Sequence, residues 1–488
     1  MLTEELQQLV QEAQVPPDLA RFLDRNELGD AELFELLFAD KVAYDHVEKR
    51  WYLWRGAFWE PDPTGEVFGM VGDWVAARYL DRATEERANG NAECSNQFIA
   101  RAKHLLSKRR MKDVLDLGSH LPRLAIKGTE WDLPAMVLPV TNGIIDLASG
   151  GLRESRPSDF VRTFSPVAWQ GLSCPSPIWE AALVGIFNGD AELVSFFQRL
   201  LGYCITGDTR EQVMPILWGE GANGKSTVIE TLIAVLGEGF CFTTQADSLM
   251  DFGKGGGDAP RPFLVASRNK RLILASESGE GRRLNSGLVK QLTGDASVTA
   301  RALFGNPVTF KQTGKIILVT NHCPRLPDAD DYAMWRRVLR VPFLVRFVDS
   351  PSGSNEFKRD KDLAAKLKLE APGILAWLVQ GCLEWQRAGL NPPANVLEST
   401  EKYRLDEDLT GQFVEERLTV GDGFEVTASA LYRDYVQWSE MNGAVPMSAR
   451  AFGQRMTRRF GEATQKWRHA RNEKIYAGVG LVTETGDA

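Results

Sequence analysis

Residues Gly219 to Thr227 read GEGANGKST, and the reading of this stretch decides the fold. A glycine, four residues and then Gly224-Lys225-Ser226 is the spacing of a phosphate-binding P-loop. VMPILW before it is a short apolar run suited to a buried parallel strand, and TVIETLIAVLG after it has helical spacing and a closing glycine. Gly219, Gly221 and Gly224 let the chain curl so that backbone N–H groups face phosphate oxygens, and the start of the following helix adds its partial positive charge. Glu220, Ala222, Asn223 and Thr227 complete the expected nucleotide contacts. Lys225 is placed to reach the β- and γ-phosphates of ATP, and the Ser226 hydroxyl to enter a Mg²⁺ shell. A glycine-rich turn that binds nothing is the plain alternative, and spacing and context both argue against it.

The rest of the composition sets bounds. At 488 residues the chain is long enough for two to four domains. A net charge of −8 gives no global attraction to nucleic acid, so DNA contacts must come from local basic patches. The six cysteines are scattered without a CxxC pair, which argues against a zinc site and a disulfide framework and suits a reducing cytoplasm. TEELQQLVQEA near the start is no signal peptide, and no apolar run is long enough to span a bilayer, so a membrane partner is not expected.

Outward from the loop, residues 1–170 read as a mixed α/β domain. AELFELLFAD is helical, KRWYLWRGAFWEPD a hairpin, and MVLPVTNGIIDLASGGLRES a set of short strands joined at Asn142-Gly143 and Gly150-Gly151. Its tryptophans are either core or base-stacking platforms, and their alternation with other apolar residues favours core. Prolines, glycine and serine cluster at Pro166–Pro177, and residues 171–350 then form the domain that carries the loop. Within it, Phe252–Pro262 is a glycine-rich connection, and RLILAS is the next strand, ending in Glu277. A carboxylate there suits Mg²⁺ binding and polarisation of water, though an ordinary solvated residue fits as well; Glu280 is the other candidate. ASVTARALFGNPVTFKQTG is a hairpin, KIILVT a buried strand ending at Asn321, and DADDYAMWRRVLRVPF presents Arg336-Arg337. Residues 351–404 are a helical connection. Residues 405–488 form a separate unit of two helices, the second capped by Ser448, and a two-stranded wing, that is, a winged helix. Arg450, Arg455, Arg458, Arg459, Lys466, Arg468 and Arg471 give it a basic face, suited to phosphates or merely solvated on a protein-binding module.

The order GEGANGKST, LASESGEG, KQLTGDASVTAR, LVTNHCP and MWRRVLRVPF resembles the superfamily 3 helicases, and within them the phage and plasmid primase–helicases of the poxvirus type. The resemblance extends over most of the chain. It implies an AAA+ type ATPase core, flanked by an N-terminal α/β domain and a winged helix. That core would be a ring-forming, hexameric motor that unwinds duplex DNA during replication of a phage or mobile element. It further implies that Lys225 and Ser226 bind phosphate and Mg²⁺, Glu277 is the acidic residue, Asn321 senses the γ-phosphate, and Arg336 or Arg337 reaches a neighbour's ATP. Arg301 and Lys311 on the hairpin, with the C-terminal basic residues, would contact single-stranded and forked DNA. Ser276 precedes Glu277 where many members carry a second acid, and the hairpin tip, Leu303 to Asn306, lacks their lysine. A separate primase or polymerase is an expected partner; no primer synthesis is expected from this chain, and Asp328, Asp330 and Asp331 are not read as its metal site. An origin-binding initiator that uses ATP as a switch is the alternative from the binding class, and a P-loop kinase the alternative from the enzymes.

Overall fold

A computed structural model describes residues 18–132, 134–251, 261–276, 281–294, 297–303, 307–326, 331–461, 465–468 and 473–482. Its central sheet has five strands: Met214–Trp218, Cys241–Gln245, Leu272–Ser276, Lys315–Thr320 and Val338–Pro342, first to fifth in chain order. Across the sheet they lie in the order fifth, first, fourth, third, second, and every neighbouring pair is parallel. Parallel strands covered on both faces must be apolar on both, which explains the unbroken runs ILIL-like in character at Leu272–Ala275 and Ile316–Leu318, all buried. Successive residues still face opposite ways. Leu217, Leu274 and Ile317 enter one core, and Ile216, Ile273 and Ile316 the other.

The sequence reading passes over the strand Cys241–Gln245. It is an edge strand whose burial alternates, so CFTTQ carries no apolar run to announce it. Residues 252–260 of the glycine-rich connection lie outside the described residues, and Pro262 opens a short helix, Pro262–Ala266.

Helices Ala191–Cys204 and Ala371–Ala388 pack against each other beneath the sheet. Their approach is close enough that a Cβ on Gly202 would stand 2.1 Å from the Cys382 amide nitrogen. Trp179 and Trp377 meet edge to face at 5.5 Å beside them. The same core takes Leu138, Val140, Ile145 and Leu147 from the three-stranded antiparallel sheet Val137–Val140, Gly143–Asp146 and Gly151–Arg153. It therefore runs across the break expected at 170/171.

Residues 19 to 124 have a core of their own. There the expected hairpin pairs Arg50–Trp54 with Trp59–Pro61 in a four-stranded sheet, and Trp59 and Trp131 are buried. At the other end, helix Ala394–Glu407 continues through the boundary expected at 404/405. It lies on the fifth strand, where the Arg340 guanidinium donates to Ser399 Oγ at 2.8 Å and sits 4.5 Å above the Trp218 ring. The C-terminal unit then runs helix Leu409–Arg417, strand Leu418–Thr427, helices Ala428–Met441 and Ala449–Phe460, and strands Gln465–Arg468 and Glu473–Leu481. The last strand is the middle one of three, antiparallel to both others. Ser448 caps its helix as expected, accepting from the Ala451 N–H at 3.3 Å.

Candidate functional site

The carboxyl ends of the first, fourth and fifth strands are level: Trp218 is opposite both Thr320 and Pro342. The first strand stands where the order reverses direction, between the fifth and the fourth. In an open parallel sheet, ligands bind outside the carboxyl ends at such a switch point. Gly219–Gly224 leaves the sheet there, and helix Lys225–Leu236 follows.

The loop's shape rests on a few positions. Gly224 has φ +90°, and a Cβ on it would stand 2.7 Å from the Ile186 side chain. A Cβ on Gly219 would meet the Phe343 carbonyl oxygen at 2.1 Å. At Gly221 neither a positive φ nor a neighbour demands glycine, so two of the three expected glycines bear the shape. Ala222 at φ +60° accepts from the Phe347 N–H at 2.7 Å, and Asn223 Nδ2 donates to the Phe343 carbonyl at 3.1 Å. Residues 343–347, just past the fifth strand, therefore clamp the loop. Sequence reasoning missed this clamp, because nothing in FLVRF marks a backbone carbonyl as a partner.

Lys225 is buried, and its ammonium donates to the Gly219 carbonyl and, at 3.2 Å, to Asn321 Oδ1. Burial pulls its pKa down to about 8. A bound anion at the loop would reverse that shift by restoring a charged partner. No side chain caps helix Lys225–Leu236, and the Ser226 hydroxyl is exposed on its first turn. The first amides of a helix have no partners within it, and a helix start of this kind is suited to an anion. Asn321 follows the fourth strand in a turn held by Thr320 Oγ1, which donates to the His322 carbonyl at 2.7 Å. Lys225 and Asn321 are thus brought together as expected. Glu277 and Glu280 lie outside the described residues, as do Asp328 and Asp330. Asp331 is engaged elsewhere: it pairs with Lys290 at 2.5 Å and caps helix Tyr332–Trp335.

The arginine pair separates. Arg337 is buried, its guanidinium donating to Thr293 Oγ1 at 3.0 Å and to the Ala333 carbonyl. Arg336 is exposed and donates to Gln212 Oε1 at 2.7 Å. Both precede the fifth strand, since Val338 pairs with Met214 at the amino edge of the sheet. The loop leaves from the opposite edge, a five-residue strand or about 13 Å away at roughly 3.3 Å per residue. Arg336 therefore lies at the edge of the sheet opposite its own chain's loop, beside Gln212.

The hairpin pairs Ser297–Ala300 with Val308–Lys311, and Lys311 is exposed; residues 304–306 at its tip lie outside the described residues. In the C-terminal unit, Arg450 and Arg458 are exposed, two turns apart on one side of helix Ala449–Phe460. Arg455 donates to Thr410 Oγ1 at 3.2 Å and Arg459 pairs with Asp408 at 3.1 Å, so these two bind helix Ala449–Phe460 to helix Leu409–Arg417. Lys466 and Arg468 fall on strand Gln465–Arg468, and Arg471 outside the described residues. Among the described residues no three His, Cys, Asp or Glu side chains are grouped to hold a metal, and no helix is long and apolar enough to cross a membrane.

Sequence comparison adds the family. Residues 31–188 match a model described as D5 N terminal like, and residues 405–480 one described as Poxvirus D5 protein-like. The chain is of the D5 type. Between those two matches, residues 217–337 of this D5-type chain, from the loop strand to the arginine pair, match a family of unknown function, DUF5906. The D5-type chain is 25% identical over 315 residues to "Putative helicase L207/L206" of Acanthamoeba polyphaga mimivirus, covering 62% of this chain and 32% of that one. It is 30% identical over 259 residues to "Putative helicase 022R" of Frog virus 3, covering 51% of this chain and 26% of that one. The matches thus span a third or less of those relatives' length. Among solved structures, the apo NrS-1 C-terminal region superposes with a TM-score of 0.46 at 13% identity, covering 92% of this chain and 99% of that one.

Proposed function

We propose that this chain is the ATP-hydrolysing helicase portion of a DNA-replication primase–helicase, working as a ring. The observation that carries the reading is the meeting of Lys225 and Asn321 at the carboxyl edge of the sheet, beside an uncapped helix start. Strand order and loop position suit an AAA+ type ATPase core. The helicase names of the viral relatives point the same way. The N–H groups of residues 219–226 and the Lys225 ammonium would hold the β- and γ-phosphates of ATP, and Asn321 would orient the attacking water. Ser226, with Glu277, would hold Mg²⁺, which when bound neutralises phosphoryl charge. Arg336, exposed and at the edge of the sheet opposite its own loop, is the finger reaching a neighbouring subunit's nucleotide, so the site is complete only between two copies. A hexameric ring satisfies that geometry. The helix–strand–helix–helix–strand–strand unit at the C-terminus reads as a winged helix, with Arg450 and Arg458 toward DNA phosphates.

The test is ATP turnover measured alone, with single-stranded DNA and with a forked duplex, alongside strand separation. Stimulation by DNA with unwinding of the fork is expected. Turnover indifferent to DNA overturns the helicase reading and leaves a phosphotransferase.

A further inference from the structure

An arginine that serves a neighbouring subunit has to be held ready by its own chain, because a long exposed side chain otherwise samples many rotamers. Arg336 is so held. Its guanidinium donates to Gln212 Oε1 at 2.7 Å, and only the carbonyl end of an amide can accept from a guanidinium. Gln212 stands two residues before the first strand, which runs from Met214 to the start of the phosphate loop.

The turn that carries Gln212 is fixed on several sides. The Gln212 N–H donates to the Thr209 carbonyl at 3.1 Å, and the Met214 N–H to the Arg337 carbonyl at 2.6 Å. Glu211 Oε1 accepts from the Trp385 indole N–H at 2.7 Å. Gln212 itself has φ +54°, in the left-handed region, where a residue other than glycine persists only if its surroundings impose it. The place of the amide is therefore set by the fold. The holder is also neutral. Two carboxylates lie close by in the sequence, but Glu211 is engaged by Trp385 and Asp208 by Arg210. Among the described residues no carboxylate pairs with Arg336. An ion pair would spend the guanidinium's charge within its own chain, whereas an amide orients the group and leaves the charge for phosphoryl oxygens. Asn321 holds Lys225 in the same manner, so both cations of the proposed site rest on amide oxygens.

We infer that Gln212 is the positioning residue of the arginine finger, holding the Arg336 guanidinium oriented and uncompensated until a neighbouring subunit's ATP takes its charge. The inference rests on the shared-site reading above.

The experiment measures ATP turnover of the full chain, kcat and KM separately, at low and at moderate salt. It compares the parent with Gln212→Met, Gln212→Glu and Arg336→Ala, each also followed by thermal melts. Methionine keeps the length of the side chain and removes the acceptor. Glutamate keeps an acceptor in place and adds the charge. Gln212→Met should lower kcat about tenfold with KM within about twofold of the parent, because each chain's own loop still binds ATP. Gln212→Glu should lower kcat further and, relative to the parent at the same salt, regain part of the loss as salt screens the new ion pair. A contact that served only the fold would be kept or strengthened by glutamate. Parent-like turnover in Gln212→Glu therefore overturns the inference, as does parent-like turnover in Gln212→Met; with Arg336→Ala inactive, either result leaves the finger standing. A melting midpoint that falls together with kcat in Gln212→Met, while Gln212→Glu keeps both, makes the contact structural and overturns the inference too. Undiminished turnover in Arg336→Ala overturns the finger, and this inference with it.

Discussion

Lys225 Nζ donates to Asn321 Oδ1 at 3.2 Å, joining the residues that follow the first and fourth strands of the sheet. Neither side chain has a carboxylate partner in this contact. The ammonium is held in place by an amide and a backbone carbonyl, both neutral, so its charge remains available to an incoming anion.

Nucleotide binding should accordingly depend on pH. Burial lowers the Lys225 pKa to about 8, so the ammonium is charged below that value and neutral above it. ADP affinity measured by calorimetry without divalent metal should fall as pH rises from 7 toward 9.5, and Lys225→Ala should flatten the profile. The stability effect has the opposite sense. Between about 8 and the ordinary lysine value the unfolded chain binds the extra proton, so this group's contribution to stability rises with pH over that window. A pH-independent ADP affinity in the parent would count against the loop as the phosphate site.

Arg336→Ala and Arg337→Ala should differ in kind. Removing the buried Arg337 takes away the donor to Thr293 Oγ1 and leaves a void, and unfolding free energy should drop by about 1–3 kcal/mol. Arg336→Ala should leave denaturant midpoints within about 0.5 kcal/mol of the parent, while lowering ATP turnover by about 10³–10⁵. Mixing Arg336→Ala with Lys225→Ala should recover some turnover, because one interface then pairs an intact loop with an intact finger. Mixtures that never exceed the sum of the two, despite co-assembly, would remove the shared site.

Gly224→Ala combines a left-handed backbone with a 2.7 Å contact to Ile186, and should cost about 1–3 kcal/mol along with nucleotide affinity. Gly221→Ala has open space around it and should unfold within about 0.5 kcal/mol of the parent. Equal destabilisation by the two, in urea titrations, would mean that the loop's shape rests elsewhere.

In the C-terminal unit, Arg450→Ala and Arg458→Ala should each weaken duplex binding about equally for all sequences, and each should reduce the salt slope by about 0.9. Arg459→Ala should instead loosen helix packing, by about 0.2–1 kcal/mol for a partly exposed pair with Asp408. Salt titrations by fluorescence anisotropy, paired with thermal melts, separate the two classes. An unchanged slope in Arg450→Ala and Arg458→Ala moves this unit to protein binding.

Much of the central sheet was legible because its inner strands are apolar on both faces and the loop's spacing is chemically constrained. The edge strand Cys241–Gln245 was not, since an edge needs no continuous apolar run. Nor did the sequence tell Arg336 from Arg337, because adjacent residues differ in burial only through the turn that places them. The same limit applies to the basic face: Arg455 and Arg459 look identical to Arg458 until Thr410 and Asp408 are seen beside them. The placement of the Val137–Arg153 sheet in the large core was hidden by long-range contact, as was the clamp from residues 343–347.

The pairing of helix Ala191–Cys204 with helix Ala371–Ala388 also sets a timetable. The 166 residues between Cys204 and Ala371 must be synthesised before the second helix exists. At about 5–20 residues per second that is roughly 10–30 s of translation. Through that interval Phe196, Leu200 and Tyr203 await the neighbour that will cover them on the nascent chain. All five strands of the sheet leave the ribosome before that second helix does, so slower elongation lengthens the time an otherwise complete sheet carries an uncovered apolar face, while cooling weakens the attraction between such faces.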